Sequence, residues 1–162
     1  DWSKIKNTSR GNVIPDGHSF CHSAILGPNM RHPSNPLSRS SQDYPVLERS
    51  LQHLVHAYDP TFQYSNITIN FNLACKRHRD GGNAGRESLV MAFGEYTGGE
   101  LAIEEPKLPR CPSRTAASGA VVRKHSVHRR FVRFDGAARF HWVEPFEGER
   151  FTAVFYLHSG VK

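Results

Sequence analysis

The 162-residue sequence has few cysteines and no long apolar run, and each scarcity excludes a class of protein. Its three cysteines, Cys21, Cys75 and Cys111, are far apart and form no Cys-x-x-Cys pair, which argues against a zinc ribbon and against a disulfide framework. We therefore expect a reducing, intracellular compartment. The longest apolar stretches have the length of a strand, so we expect neither a transmembrane segment nor a membrane partner. The chain starts at Asp1 with no initiator methionine and no signal peptide, as a piece cut from a longer protein would.

Acidic residues are also scarce relative to basic ones, at 15 against 21, and the formal net charge is +6. A basic domain suits a nucleic-acid partner, because lysine and arginine contact phosphates. Two clusters, 76–79 and 123–133, could bind phosphates in this way. The alternative is that they are solvated strand edges whose charge prevents aggregation. The length predicts a single domain, 1–162, and we expect a monomer.

Residues 1–41 are rich in Ser, Asn, Pro and Gly, and they predict an irregular N-terminal arm with short strands at Val13-Ile14 and Ala24–Leu26. A helix is predicted within residues 42–60. Apolar residues recur there at three- and four-residue spacing from Pro45 to Tyr58, which is typical of a helix with one buried face.

Residues 64–158 predict a β core. Apolar and polar residues alternate from Ile67 to Leu73, which indicates a half-buried strand. Ser88–Phe93 and Glu100–Glu104 predict a hairpin through a turn at Thr97–Gly99. The next segment, Pro106–Gly119, is a connection rich in Pro, Ser and Ala. Further segments that resemble strands follow it: Val121–Phe134, Phe140–Val143 and Arg150–His158. The predicted fold class is mainly β with a buttressing helix, either a β sandwich or a jelly roll.

A candidate metal site lies in this β core. His78 and Asp80 are two residues apart, and on an extended segment such residues project to the same face. His141 is the best third ligand. The competing histidines are less suitable, since His125 and His128 lie among basic residues and His158 lies near the chain end. Two histidines and one carboxylate are the ligand set of a mononuclear iron(II) site with open positions.

Arg150 and Thr152 form a candidate anion site just beyond the third metal ligand. A guanidinium can bind a carboxylate through two parallel hydrogen bonds, and the threonine hydroxyl two residues later on the same strand face can add another. This pair is what the distal carboxylate of 2-oxoglutarate would need.

These segments resemble the iron(II)/2-oxoglutarate dioxygenases, and within them the branch of the ten-eleven-translocation and J-base-forming enzymes. The matching stretches span about residues 64–158: Ile67–Asn72, His78–Asn83, Phe93–Leu101, Phe134–Gly136 and His141–Arg150. The resemblance implies a double-stranded β helix, or jelly roll. It also implies iron(II) bound by His78, Asp80 and His141, and 2-oxoglutarate bound by Arg150 and Thr152.

The resemblance further implies that Asn70, Asn72 and Asn83 contact the co-substrate or support the metal ligands, although each could instead be an asparagine that satisfies local backbone. Ascorbate is an additional reductant for such enzymes. The implied reaction is oxidation of a C–H bond, with the methyl group of 5-methylcytosine in DNA as the substrate, reached by flipping the base. A eukaryotic chain of this kind would be nuclear. Hydroxylation of a protein side chain or a small molecule, and a non-catalytic jelly-roll binding module, remain alternatives.

Overall fold

Strands make up most of the regular structure in the computed structural model, which describes residues 2–30, 36–106 and 120–160. The strands are β1 (His22–Leu26), β2 (Asn66–Phe71), β3 (Ser88–Phe93), β4 (Tyr96–Gly98), β5 (Leu101–Pro106), β6 (Ala120–His125), β7 (Val132–Phe134), β8 (His141–Val143), β9 (Phe146–Gly148) and β10 (Phe151–Tyr156). The helices are α1 (Arg39–Asp43) and α2 (Pro45–Tyr58). The protein is therefore mainly β. The predicted connection at Pro106–Gly119 lies outside the described residues except for Pro106, which ends β5.

Five antiparallel strands form the larger sheet, in the order β1-β2-β10-β3-β7. One face of this sheet is apolar and packs against α2, and the side chains of this contact are fully or almost fully buried. They include Leu26, Leu51, Val55, Ile67, Leu89, Ala153 and Phe155. Burying each large aliphatic side chain contributes roughly 1.5–3 kcal/mol, so this layer is the main source of stability for the sheet.

Helix α2 spans the residues over which apolar periodicity predicts it. Pro45 occupies the first turn, where its missing N–H leaves no hydrogen bond unmade. The helix ends when the Asp59 N–H donates to the Val55 carbonyl at 2.8 Å and Asp59 turns to extended backbone. No helix within the described ranges is long and apolar enough to cross a membrane.

The remaining strands form a three-stranded sheet, β6-β5-β8, and a two-stranded ribbon, β4-β9. The predicted hairpin between β3 and β5 is wrong, because β3 pairs with β10 and β7 whereas β5 pairs with β6 and β8. Gly94 and Gly99 both adopt positive φ, at 107° and 69°, so the chain turns at each end of β4 instead of once. The predicted turn residues Thr97 and Gly98 therefore lie on a strand of their own.

The predicted short strand at Ala24–Leu26 is confirmed and begins two residues earlier, at His22, whereas the irregular arm predicted up to residue 41 is wrong where α1 begins at Arg39. Strand β1 pairs along its whole length with β2, and Leu26 is fully buried in the apolar layer. Val13-Ile14 forms no strand: both amides donate to the Arg10 carbonyl in a turn, and both side chains are buried against Leu73. Long-range pairing and burial, which local composition does not encode, hold these segments in place.

The half-buried reading of β2 also needs correction, because both of its faces are buried. Its apolar residues face α2, as the alternation predicts. Its polar residues, Asn66, Thr68 and Asn70, are 1%, 6% and 8% exposed and line an internal cavity instead of facing bulk water. A polar strand face that lines a cavity gives the same alternating pattern as one that faces solvent.

Candidate metal centre

His78, Asp80 and His141 converge at one end of this cavity. His78 Nε2 lies 3.4 Å from Asp80 Oδ1, and His141 Nε2 lies 3.6 Å from Asp80 Oδ2. One ligand atom from each of the three residues lies within 4.8 Å of the other two, which is close enough to bind a single metal ion. No other such group of histidine, cysteine and carboxylate side chains occurs among residues 2–30, 36–106 and 120–160.

Backbone pairing sets the spacing of the two histidines. The His78 amide donates to the His141 carbonyl and the His141 amide donates to the His78 carbonyl, both at 3.0 Å. Each ring is then oriented by its second nitrogen: Nδ1 of His78 lies 2.7 Å from the Lys76 carbonyl, and Nδ1 of His141 lies 3.0 Å from the Arg139 carbonyl. Because a carbonyl accepts, Nδ1 carries the proton in each ring, and Nε2 is left as the ligand atom beside Asp80.

The charges around the centre favour the protonation states that bind metals. Burial raises the pKa of Asp80, but the adjacent His78 and His141 rings and the positive charge of Arg10 outweigh it, so the pKa is lowered overall. Burial lowers the pKa of His141, and the Asp80 carboxylate only partly opposes this. At neutral pH Asp80 is ionised and His141 is neutral, as metal ligation requires.

A cavity of about 790 Å³ opens from the centre and lies between the larger sheet and the three-stranded sheet. Its wall is apolar on one side and polar on the other. The apolar side includes Val90, Leu101, Val127, Phe134 and Val143, and the polar side includes Ser23, Asn66, Thr68, Asn70, Thr152 and Tyr156. A cavity of this size can hold a small ligand at the metal together with a second molecule of similar size.

Arg150 lies in this cavity wall as a buried cation. It is 2% exposed, Nη2 donates to the Gly99 carbonyl at 3.0 Å, and Nε has no partner. No carboxylate within the described ranges forms an ion pair with it. Burial lowers the pKa of Arg150, while the nearby Tyr96 hydroxyl acts in the opposite direction. A buried guanidinium whose neighbouring acceptors are all neutral has unused capacity to bind an anion.

Thr152 and Asn70 lie beside Arg150 on adjacent strands, where their Cα atoms are directly paired. Asn70 Nδ2 donates to Thr152 Oγ1 at 3.1 Å, and Asn70 Oδ1 accepts from Arg10 Nη1 at 2.7 Å. Arg10 also donates to Ser23 Oγ at 3.1 Å and lines the cavity. The sequence reading did not identify Arg10, because nothing in the pattern of the arm separates it from a surface arginine.

The other two predicted asparagines have different surroundings. Asn83 lines the cavity next to the metal centre, with Nδ2 2.9 Å from Ser88 Oγ and 3.5 Å from Asp80 Oδ2. Asn72 is exposed, is not part of the cavity lining and adopts a φ of 46°. Its Oδ1 accepts from the Arg150 amide at 2.7 Å, so it holds the backbone of Arg150 from outside the cavity.

Two further residues of the terminal segment line the cavity and were not assigned a role from sequence. Tyr156 is on the same face of β10 as Thr152, with its hydroxyl 3.5 Å from Thr68 Oγ1. His158 follows the strand and forms a backbone bridge with Asn83. The period of two along β10 could have identified Tyr156, because that period places residues 152, 154 and 156 on one face.

The basic clusters carry less unpaired charge than the sequence indicates. Many of their side chains form ion pairs with acidic residues on neighbouring segments: Lys76–Asp16, Arg77–Glu104, Arg123–Glu105, Lys124–Glu144, Arg129–Glu95 and Arg133–Asp59. Arg79 instead stacks on the Phe140 ring, 4.7 Å from its centroid. These pairs are largely exposed and each contributes little stability, but they reduce the charge that these clusters present to phosphates.

A comparison with protein-family models found no match to the chain, and a search of curated proteins found no similar sequence. The geometry of the metal centre and its cavity therefore carries the functional argument.

Proposed function

We propose that this protein is an iron(II)- and 2-oxoglutarate-dependent dioxygenase with a double-stranded β-helix core, of the kind that the ten-eleven-translocation and J-base-forming enzymes represent. The observation that carries the proposal is the presence, in one cavity, of a three-ligand His/Asp/His centre and a buried arginine without an acidic partner. Two antiparallel sheets that both contribute residues to the wall of one cavity support the choice of fold.

The donor set suits iron(II) because two imidazoles and one carboxylate occupy one side of the ion and leave positions for other ligands. The cavity suits a 2-oxo diacid because it contains two guanidiniums. Arg150 and Thr152 would bind the distal carboxylate. Arg10 would bind the end of the acid near the metal, since its charge already acts on both Asp80 and His141.

When bound, iron and 2-oxoglutarate would supply the oxidative chemistry, in which dioxygen gives one atom to the co-substrate as it loses carbon dioxide to become succinate, and the other atom to a substrate C–H bond. The protein binds and orients these groups. The apolar wall around Leu101, Val127 and Phe134 excludes water from the reacting centre. Ascorbate would keep the iron in its reduced state.

For the substrate we propose the methyl group of 5-methylcytosine in DNA, with the base flipped into the cavity. Asn83, Tyr156 and His158 line the cavity and offer ring faces and hydrogen-bonding groups that suit a base. The net charge of +6 favours a polyanionic partner. A nuclear location would follow in a eukaryote.

The test is an incubation with iron(II), 2-oxoglutarate, ascorbate and methylated DNA, followed by mass spectrometry of the nucleosides and measurement of succinate. We expect oxidised 5-methylcytosine and succinate formation that depends on methylated DNA. His78→Ala and Asp80→Ala should abolish both products, whereas His53→Ala, an exposed histidine on α2, should retain them.

Succinate formation without nucleoside oxidation would redirect the assignment to a protein side chain or a small molecule, for which the same centre would serve. Failure to bind iron(II) and 2-oxoglutarate would contradict the enzymatic proposal and favour a non-catalytic binding module.

A further inference from the structure

The side chain of Arg150 packs against the β4-β9 ribbon, whose own residues have no other role in the proposed reaction. The guanidinium carbon lies 5.4 Å from the ring centroid of Tyr96 on β4 and 5.3 Å from that of Phe146 on β9. The Gly99 carbonyl, just after β4, accepts the hydrogen bond from Nη2. Three groups of one ribbon therefore surround one guanidinium.

The ribbon is shaped for this contact. A Cβ atom at Gly99 would lie 2.9 Å from Arg150 Nε, so any larger residue there would displace the arginine side chain from its present position. Gly98 pairs directly with Phe146, and a Cβ atom at Gly98 would meet backbone atoms of the opposite strand. The two strands thus approach closely enough to bring both aromatic rings to the same guanidinium.

Two buried polar atoms lie at this contact: Arg150 Nε forms no hydrogen bond, and the Tyr96 hydroxyl is close enough to the guanidinium to oppose the lowering of the Arg150 pKa by burial. Tyr96 is not part of the cavity lining, whereas Arg150 is. A ligand in the cavity therefore meets the arginine first, and Tyr96 acts on that ligand through the arginine.

We propose that Tyr96 and Phe146 are positioning residues that fix the direction of the Arg150 guanidinium, and that the β4-β9 ribbon thereby sets the affinity of the cavity for a dicarboxylic acid. This inference rests on the proposed function, because it concerns the arginine that binds 2-oxoglutarate. An unsupported arginine side chain populates many rotamers, and ordering it on ligand binding lowers affinity. Two aromatic faces and one carbonyl order the side chain before the acid arrives.

The first experiment measures binding of 2-oxoglutarate by titration calorimetry, with manganese(II) in place of iron(II) to prevent turnover. We expect Tyr96→Leu to weaken 2-oxoglutarate binding up to about tenfold, the cost of ordering one rotamer-rich side chain on binding, while manganese(II) binding is unchanged. Tyr96→Phe keeps the ring and should restore most of the affinity. Thr97→Ser, at an exposed position on the same strand, is the matched control.

The second experiment asks whether the ribbon can hold a guanidinium that is not attached to the chain. Free guanidinium ion should partly restore 2-oxoglutarate binding to Arg150→Ala, and it should fail to do so in the double variant Arg150→Ala/Tyr96→Leu. A merely structural role for Tyr96 predicts no difference in this rescue. Circular dichroism of each variant verifies that it is folded, and Tyr96→Phe provides the folded comparison if Tyr96→Leu is not.

Equal 2-oxoglutarate affinity in the wild type and Tyr96→Leu would overturn the inference alone and leave the proposed function intact. No binding of 2-oxoglutarate to the wild type would overturn the inference and the proposed function together. Weakened binding in Tyr96→Leu accompanied by rescue that depends on Tyr96 supports both.

Discussion

Replacement of Arg150 by methionine should make the protein more stable in the absence of ligand and less stable in its presence. Taking a guanidinium out of water costs several kcal/mol. The hydrogen bond to Gly99 offsets about 1.5–3 kcal/mol of this, and the contacts with Tyr96 and Phe146 offset about 1 kcal/mol each. We expect the uncompensated remainder to be roughly 1–2 kcal/mol, which a neutral side chain of similar length would recover.

The assay is thermal unfolding, monitored by calorimetry with manganese(II) present throughout. A gain of 1–2 kcal/mol should raise the Tm of ligand-free Arg150→Met by about 2–8 °C for a chain of this size. Addition of 2-oxoglutarate at about 100 times its Kd should stabilise the wild type by about 2.7 kcal/mol. The variant should gain almost nothing, so the order of the two Tm values should reverse.

Two controls separate this effect from a general change of charge. Arg150→Lys keeps the charge without the planar guanidinium. Arg86→Met removes an exposed arginine that does not line the cavity and whose side chain donates a surface hydrogen bond to Gln63. A ligand-free Arg150→Met that is less stable than the wild type by more than 2 kcal/mol would refute the reasoning, since Arg150 would then be a structural residue and not a ligand-binding one. Equal stabilisation of both proteins by 2-oxoglutarate would refute it as well.

Three further expectations concern the scaffold and the cavity. Leu51→Ala should lower the free energy of unfolding, measured by denaturant titration, by about 2–5 kcal/mol, because it opens a void between α2 and the sheet. Metal affinity should not change, and a change would contradict the separation of this apolar layer from the metal centre. Asn66→Ala should lower that free energy by about 1–3 kcal/mol, since its amide donates to the carbonyls of Leu26 and Pro28. Burial raises the pKa of the Cys75 thiol to about 11. In a Cys111→Ser background, iodoacetamide should therefore modify Cys75 at least 100-fold more slowly at pH 8 than it modifies a free thiol with a pKa of about 8.5. Modification of Cys75 at the free-thiol rate would show that the cavity is open at this wall.

Local sequence patterns predicted which segments form helices and strands better than they predicted which strands pair with each other. The helix at Pro45–Tyr58 follows from apolar periodicity within the segment, and the strand at Ser88–Phe93 follows from a short continuous apolar run. The hairpin between β3 and β5 does not form because sheet membership depends on residues far along the chain. The polar alternation in β2 predicted a strand correctly but could not distinguish a solvent-facing side from a cavity-facing one.

For the candidate site, too, some residues could be predicted from the sequence and others could not. His78, Asp80 and His141 could be selected from ligand chemistry and chain order, and the structure brings them together. Arg10 could not be selected, because its partner Asn70 is 60 residues away and nothing in the arm indicates that contact. The ion pairs of the basic clusters were also beyond prediction, since each acid lies on a segment that only the fold brings near.

The reciprocal backbone hydrogen bonds between His78 and His141 have a consequence for how the protein acquires its metal. Because ordinary strand pairing fixes the two rings, the coordination geometry exists before any ion arrives, and a chelator should remove the ion without unfolding the protein. Such a rigid nitrogen and oxygen site follows the general affinity order of divalent ions, in which copper, nickel and zinc exceed iron(II). The supply of metals in the cell, and not the fold, would then decide which ion occupies the centre and whether the proposed oxidation could take place.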